Sequence, residues 1–410
     1  MVFNLNSFLI SLSTALDCAE QEIMHITTHH SKRCAYMVLR IAQEMGMHHD
    51  ESFDLCSLAL MHDNGITQAF LKQNILNEGS DKNLSLLENL KEHCSIGEDN
   101  VKSFPFLTRP KNVILYHHEY LDGSGLYGKK GDEIPLMSQI ISLVDDLDIN
   151  FELLHTTLKN VDEINNFVIT RSGKLFHEDI KEAFLRLSTQ ITFWRDLRDE
   201  NIISALQDYL PDISVYIEPT ELLAITAIFS LIIDAKSEFT AIHSLDLMDK
   251  AETISHHYKW DKAKSIKFQM AANLHDLGKL AMPLSILEKT QALSEEEFNT
   301  IKEHAYITHA ILGNIEGFEE IHEWAASHHE RLDGSGYPFG LTAKDLSFES
   351  KILASLDVYQ ALTENRPQRK ALSHAQAMHI MHAQVFKGLL DVGIVKTIGE
   401  VFADDKKQIA

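Results

Sequence analysis

His328-His329-Glu330-Arg331-Leu332-Asp333-Gly334-Ser335-Gly336 repeats, with a single change, His117-His118-Glu119-Tyr120-Leu121-Asp122-Gly123-Ser124-Gly125. The two stretches lie 211 positions apart. Working outward, His304 answers His93 at the same offset, Asp357 answers Asp145 at 212, and His243, His275 and Asp276 answer His30, His62 and Asp63 at 213. Eight polar positions therefore recur in one order with two small length changes, which is the signature of a tandem duplication. The first copy spans about residues 1–195 and the second 222–410; residues 196–221, a mostly helical connector broken by Pro211 and Pro219, join them.

Both copies read as helix. From Asp261 to His275, Ala263, Ile266, Met270 and Leu274 fall at three- and four-residue spacing, the stripe of an amphipathic helix, and Gly278 supplies a stop. Leu55 to His62 ends the same way at Gly65. No run alternates β-branched residues, and the 410 residues contain only eight prolines. The expected architecture is all-α: two tandem helical bundles.

Composition narrows the function. Thirty-seven basic against 60 acidic residues give a net charge of −23, with no basic run to neutralise a phosphate backbone or an anionic membrane. Nucleic-acid polymers and membranes are excluded as partners on that ground. The longest nearly apolar stretch, Leu222 to Ile233, is too short to cross a bilayer, and the N-terminus lacks a basic signal region. Cys18, Cys34, Cys56 and Cys94 form no Cys-x-x-Cys pair, so neither a disulfide framework nor a zinc ribbon is indicated and a reducing, cytoplasmic setting is expected. The unusual count is histidine, 23 against 18 glycines.

Taken singly, such histidines serve as core or helix-capping residues; repeated as a set, they read as ligands. Imidazole and carboxylate suit first-row transition metals. A His-Asp pair at a helix end can hold one ion by the ring while the carboxylate bridges to another. Adjacent histidines splay by about 100° on a helix, so His328 and His329 either converge on one centre near a helix end or reach two. Two ions a few ångströms apart activate water and stabilise an in-line displacement at phosphorus.

With these motifs in hand, the second copy resembles the HD-GYP phosphodiesterases, a branch of the HD superfamily of metal-dependent phosphohydrolases. The resemblance runs through His243-Ser244, His275-Asp276-Leu277-Gly278-Lys279, Ile301-Lys302-Glu303-His304, His328 to Pro338, and Asp357 with the following 361–370 segment. It implies hydrolysis of a cyclic dinucleotide, cyclic di-GMP or 3',3'-cyclic GMP-AMP, to the linear form. It also implies two divalent ions in the site, iron or manganese, with nickel or zinc accepted by the same donors. By position, His243, His275, Asp276 and Asp357 would hold one ion and His304, His328 and His329 the other, with Asp276 bridging. Lys279 would act with Asp276 at the reacting phosphate; Arg366 and Arg369 would grip substrate. Gly336 would permit close substrate approach and Asp333 would orient a ligand histidine. Some members carry a Glu four residues before the first His as a third-ion ligand; Phe239 stands there, beside Glu238, so two ions are expected.

The first copy keeps a second candidate metal set, His30, His62, Asp63, His93, His117, His118 and Asp145, but has Ile66 for Lys279 and Leu154 and Thr157 for the two arginines. Ile26 stands at the third-ion position, and Gly125-Leu126-Tyr127 replaces Gly-Tyr-Pro. The first copy is accordingly expected to support or regulate the second. The competing functions are a non-hydrolytic cyclic-dinucleotide receptor and a general HD nucleotide phosphohydrolase. Homodimerisation and signalling-protein partners are compatible with such a chain, although no residue pattern specifies them.

Overall fold

The computed structural model describes residues 2–76, 82–211, 213–237, 243–365 and 369–403, without the side chains at 2–3, 73–76, 82–90, 158 and 243–245. Two compact units divide the chain, Met1–Ile217 and Glu218–Ala410. In the first unit the helices are α1 (Leu5–Met24), α2 (His30–Met45), α3 (His49–Leu60), α4 (Ile66–Leu76), α5 (Lys82–Val101), α6 (Leu136–Phe151), α7 (Leu158–Arg171), α8 (Glu178–Ser188), α9 (Ile191–Asp196) and α10 (Ile202–Tyr209). In the second they are α11 (Pro219–Asp234), α12 (His243–His257), α13 (Lys262–Leu274), α14 (Leu284–Leu287), α15 (Glu295–Leu312), α16 (Glu319–Ala326), α17 (Phe348–Thr363), α18 (His374–Phe386) and α19 (Val392–Val401). The strands among the described residues are two short ones, β1 (Val2–Phe3) and β2 (Val215–Tyr216), paired antiparallel. The all-α architecture follows. No helix among the described residues is long and apolar enough to cross a membrane.

Local chemistry sets the helix ends. Asp261 caps α13 by accepting from the Lys264 N–H, and Ser294 and Glu297 close a capping box at the start of α15. Gly46 ends α2 with φ +69°, a conformation costly for residues with a Cβ. The stripe expected on α13 is wider than its spacing suggested: Ala263 is exposed, whereas Ser265, Ile266 and every residue from Phe268 to Leu274 are buried. The helix is a central one, covered by α11, α12 and α16. Its burial holds the His275-Asp276 end at the heart of the unit.

Residues 196–217 pack as part of the first unit. Tyr36 donates to Asp196 at 2.8 Å, Arg33 reaches Asp199 at 3.1 Å, and α10 lies on α2. Helix α2 is buried along most of its length, Lys32 and Arg33 included. Both charges are paired, Lys32 with Asp17 at 2.6 Å and Arg33 with Asp148 at 2.7 Å. Charges removed from water persist only when so compensated.

Candidate active site

In the second unit, α13 stops at Leu274, His275 forms its cap, and Asp276 leads into the short 3-10 turn Leu277–Ala281. That turn is pressed against the backbone of α15. A Cβ at Gly278 would lie 2.0 Å from the His304 carbonyl oxygen, so only glycine permits the approach. The Gly278 N–H donates to Thr308 Oγ1 at 2.9 Å, and the Thr308 hydroxyl donates to the His275 carbonyl at 3.1 Å. His275, Asp276 and His304 are thereby locked in mutual register.

The imidazoles share one orienting device. His275, His304 and His328 each place Nδ1 against the carbonyl three residues earlier, at 2.8, 2.5 and 2.6 Å. An Nδ1–H donated this way leaves the lone pair on Nε2, which is the arrangement a metal ligand needs. The Nε2 atoms then converge. His304 Nε2 lies 3.2 Å from His328 Nε2, and two lone pairs at that separation call for a cation between them. Asp276 stands at the centre: Oδ2 is 3.0 Å from His275 Nε2, while Oδ1 is 3.4 Å from His304 Nε2 and 3.7 Å from His328 Nε2. One carboxylate oxygen thus faces each histidine group. His329 closes the cluster through Nδ1, 3.6 Å from Asp357 Oδ2. Lys279 Nζ sits 2.6 Å from Asp276 Oδ2.

Burial decides the protonation states. It drives His304 down to about 4 and His328 to about 3, with His329 also well below the usual imidazole range. These rings are neutral at physiological pH, the state a metal ligand requires. Burial alone would raise Asp276, but His275 and Lys279 outweigh it and hold the carboxyl well below its ordinary range. The donor set therefore fits divalent transition-metal ions: neutral imidazoles, an ionised carboxylate placed between two groups, and donor atoms within 4.8 Å of one another.

The loop after His329 corrects one expectation. Asp333 orients no ligand histidine; it is exposed, and Oδ1 accepts from the Ser335 N–H and hydroxyl at 3.0 and 2.7 Å, closing a local turn. Gly336 lets the loop backbone pack closely, because a Cβ there would lie 2.4 Å from both Arg331 N and Glu330 Cα. The organiser is Glu330, 1% exposed, whose carboxylate accepts from Phe339 N at 2.8 Å and Leu341 N at 2.9 Å. It straps the loop onto the His328-His329 turn. Glu119 does the same with Tyr127 N and Lys129 N, both at 2.6 Å. The repeated His-His-Glu is the sequence signal for this role.

Arg369, expected on substrate, donates to the carbonyls of Ala361 and Leu362 at 2.7 and 2.9 Å. It caps the negative end of α17, the helix that carries Asp357. The carbonyls occupy Nη1 and one Nη2 hydrogen, which leaves the Nε–H edge of the guanidinium uncommitted among the described residues. Arg366, the side chain of His243, and Phe239 and Glu238 lie outside the described residues.

The first unit assembles the same constellation. Asp63 Oδ1 is 3.2 Å from His93 Nε2 and 3.6 Å from His117 Nε2, with Oδ2 3.5 Å from His62 Nε2. Asp145 Oδ1 is 3.2 Å from His30 Nε2, and Asp145 Oδ2 lies 3.8 Å from His118 Nδ1. Asp148 holds His30 by its other nitrogen at 2.7 Å. Ile66 is buried where the second unit places Lys279. Sequence reasoning missed Glu20 of α1, 3% exposed; burial and the charges of Asp63 and Asp17 push its carboxyl up to about 8. No repeated motif marks it, because the position 213 residues on is Ile233, so Glu20 has no matching carboxylate in the second copy.

The HD domain family matches residues 17–155 and again 227–392, more than half of the chain. The chain belongs to the HD domain family. Among curated relatives of this HD-domain chain, the 3'3'-cGAMP-specific phosphodiesterase 1 of Vibrio cholerae serotype O1 is 29% identical across 96% of this chain and 91% of its own length. Phosphodiesterase 3 of the same name and organism is 27% identical across 92% and 90%. The cyclic di-GMP phosphodiesterase response regulator RpfG of Xanthomonas campestris is 42% identical, but across 28% of this chain and 31% of its own. A crystal structure of a V. cholerae cyclic GMP-AMP phosphodiesterase, V-cGAP3, superposes with a TM-score of 0.69 over 98% of this chain and 99% of that one, at 24% identity, and so shares the fold.

Proposed function

We propose that the second unit is a metal-dependent phosphodiesterase that opens a cyclic dinucleotide to its linear form, with 3',3'-cyclic GMP-AMP as the preferred substrate. The observation that carries this is the Asp276 carboxylate set between His275 and the His304–His328 pair, with the Lys279 ammonium beside it at 2.6 Å. The substrate preference rests on relatives that align along nine-tenths of the chain and are named for cGAMP, whereas the RpfG match covers 28% of it.

His243, His275, Asp276 and Asp357 would hold one ion and His304, His328 and His329 the other, with iron or manganese as the expected metals. Ions so held supply an activated water and neutralise charge on the phosphoryl oxygens. The chain's own residues do the rest. Asp276 orients both histidine groups, and Lys279 lies within reach of a non-bridging oxygen, where a compact ammonium matches developing negative charge. One P–O ester bond breaks as a P–O bond to water forms, and the proton leaves with the departing ribose oxygen. The net charge of −23 is no obstacle to an anionic substrate, because local cations set the potential at the site.

The test is product analysis on purified, manganese- or iron-loaded full-length protein given cyclic GMP-AMP and cyclic di-GMP separately. Linear product from the hybrid nucleotide at the higher kcat/KM is expected. Preference for cyclic di-GMP would overturn the substrate assignment, and hydrolysis of neither would overturn the enzyme assignment.

A further inference from the structure

The two histidine constellations differ in one respect that bears on what each can do, and the difference is sulfur. All four cysteines fall in the first unit. Two of them stand inside its constellation. Cys94 Sγ lies 3.6 Å from His93 Nε2, and Cys34 Sγ lies 3.8 Å from His30 Nε2. In the second unit the equivalent positions are Leu247 and Ala305, both buried and neither able to coordinate.

The distances match a coordination shell. A tetrahedral ion with metal–nitrogen bonds of about 2.0–2.1 Å and metal–sulfur bonds of about 2.3 Å has N···N edges near 3.3 Å and N···S edges near 3.5 Å. His93 Nε2 and His117 Nε2 are 3.4 Å apart and Cys94 Sγ is 3.6 Å from His93 Nε2, two edges with those proportions. His93, Cys94, His117 and His118 form one four-donor group with all donor atoms within 4.8 Å of one another. His30, Cys34 and His62 form a second group, to which Asp145 Oδ1 adds a fourth donor 3.2 Å from His30.

The surroundings also call for a cation. His62 Nε2, Asp63 Oδ1, Asp145 Oδ1 and Glu20 Oε2 are buried with no hydrogen bond of good geometry, although Asp63 Oδ1 and Asp145 Oδ1 each lie 3.2 Å from a histidine Nε2. The buried lysine and arginines of this unit are committed elsewhere, Lys32 to Asp17, Arg33 to Asp148, and Arg40 to Tyr36 and Gln190. Where the second unit offers Lys279, the first has the apolar Ile66.

We propose that the first unit is a metal site of a different kind from the second: a closed centre of imidazole, carboxylate and thiolate donors that binds zinc-like divalent ions and does not turn substrate over. A catalytic ion keeps a position open for water and substrate, whereas four protein donors close the shell and make the ion structural. Cys34 and Cys94 supply the donors that fill those positions. This inference is independent of the activity assigned to the second unit.

The test is cobalt substitution in the full-length chain. Because no cysteine lies in the second unit, a thiolate-to-cobalt charge-transfer band in the near ultraviolet reports the first unit alone. The band is expected in the wild type and in the C18S/C56S control, and it is expected to vanish in C34S/C94S while circular dichroism stays unchanged. If C34S/C94S does not fold, the H62A and H117A single variants should each weaken the band instead. Wild-type protein that takes up cobalt with no sulfur band, or a band that survives C34S/C94S, overturns the proposal and leaves the two thiols as hydrogen-bond partners of imidazole.

Discussion

Replacing Gly278 with alanine tests how the site is built without touching a ligand. The added Cβ would lie 2.0 Å from the His304 carbonyl oxygen and 2.8 and 2.9 Å from His304 C and Cα. These are backbone atoms in mid-helix, so no side-chain rotation relieves the contact. A normal separation of about 3.5 Å requires the turn and α15 to part by more than about 1 Å. Ligand distances tolerate only about 0.2 Å, and a misplacement of about 1 Å at a reacting centre costs about 100-fold in rate. Overpacking of this kind destabilises by about 1–3 kcal/mol, which for a unit of this size lowers Tm by about 2–4 °C per kcal/mol. The expected outcome for G278A is a roughly 100-fold fall in kcat, reduced metal content in the second unit and a lower Tm. Gly65→Ala is the control, since its Cβ would meet His93 O at 2.3 Å in the first unit. It should destabilise to a similar degree and spare turnover. The assays are initial-rate hydrolysis, metal analysis on the same sample and thermal unfolding. If G278A retains turnover within threefold and a full complement of metal, the close approach does not position His304 and the reasoning fails.

Three further outcomes follow from other contacts. Lys279→Gln should reduce kcat by about 100-fold with little change in KM, as expected for a group that stabilises charge developing in the transition state; a change confined to KM would place the lysine in ground-state binding. Asp17→Ala leaves the fully buried Lys32 ammonium without its 2.6 Å partner and should cost about 3–5 kcal/mol in denaturant unfolding of the first unit, so a cost under 1 kcal/mol would mean that Lys32 finds water or another acceptor. The double variant H62A/D63A, folded by circular dichroism, should retain most turnover, and its complete loss would show that the first unit contributes directly to the chemistry.

The sequence by itself determined the duplication, the helical class and the identities of the clustered donors. Those features follow from chain spacing: a His-Asp pair at a helix end, a His-His pair before a glycine loop, and the same order 211–213 positions later. Helix periodicity is a local property, and a repeated pattern of rare residue types survives two small changes in length. What only the tertiary structure decided are the relations between elements. Glu20 enters the first constellation from α1, Glu330 straps a loop whose amides lie 9 and 11 residues away, and Thr308 stitches the Gly278 turn to α15. Arg369 matches a substrate-contact motif by position, and only the fold shows that the carbonyls of Ala361 and Leu362 hold part of its guanidinium, a relation set by where α17 ends. The sulfur beside the first histidine cluster was visible as four cysteines without a motif. Its meaning depends on which side chains pack within 4 Å of Cys34 and Cys94, and packing distance, unlike spacing along the chain, is a property of the folded molecule.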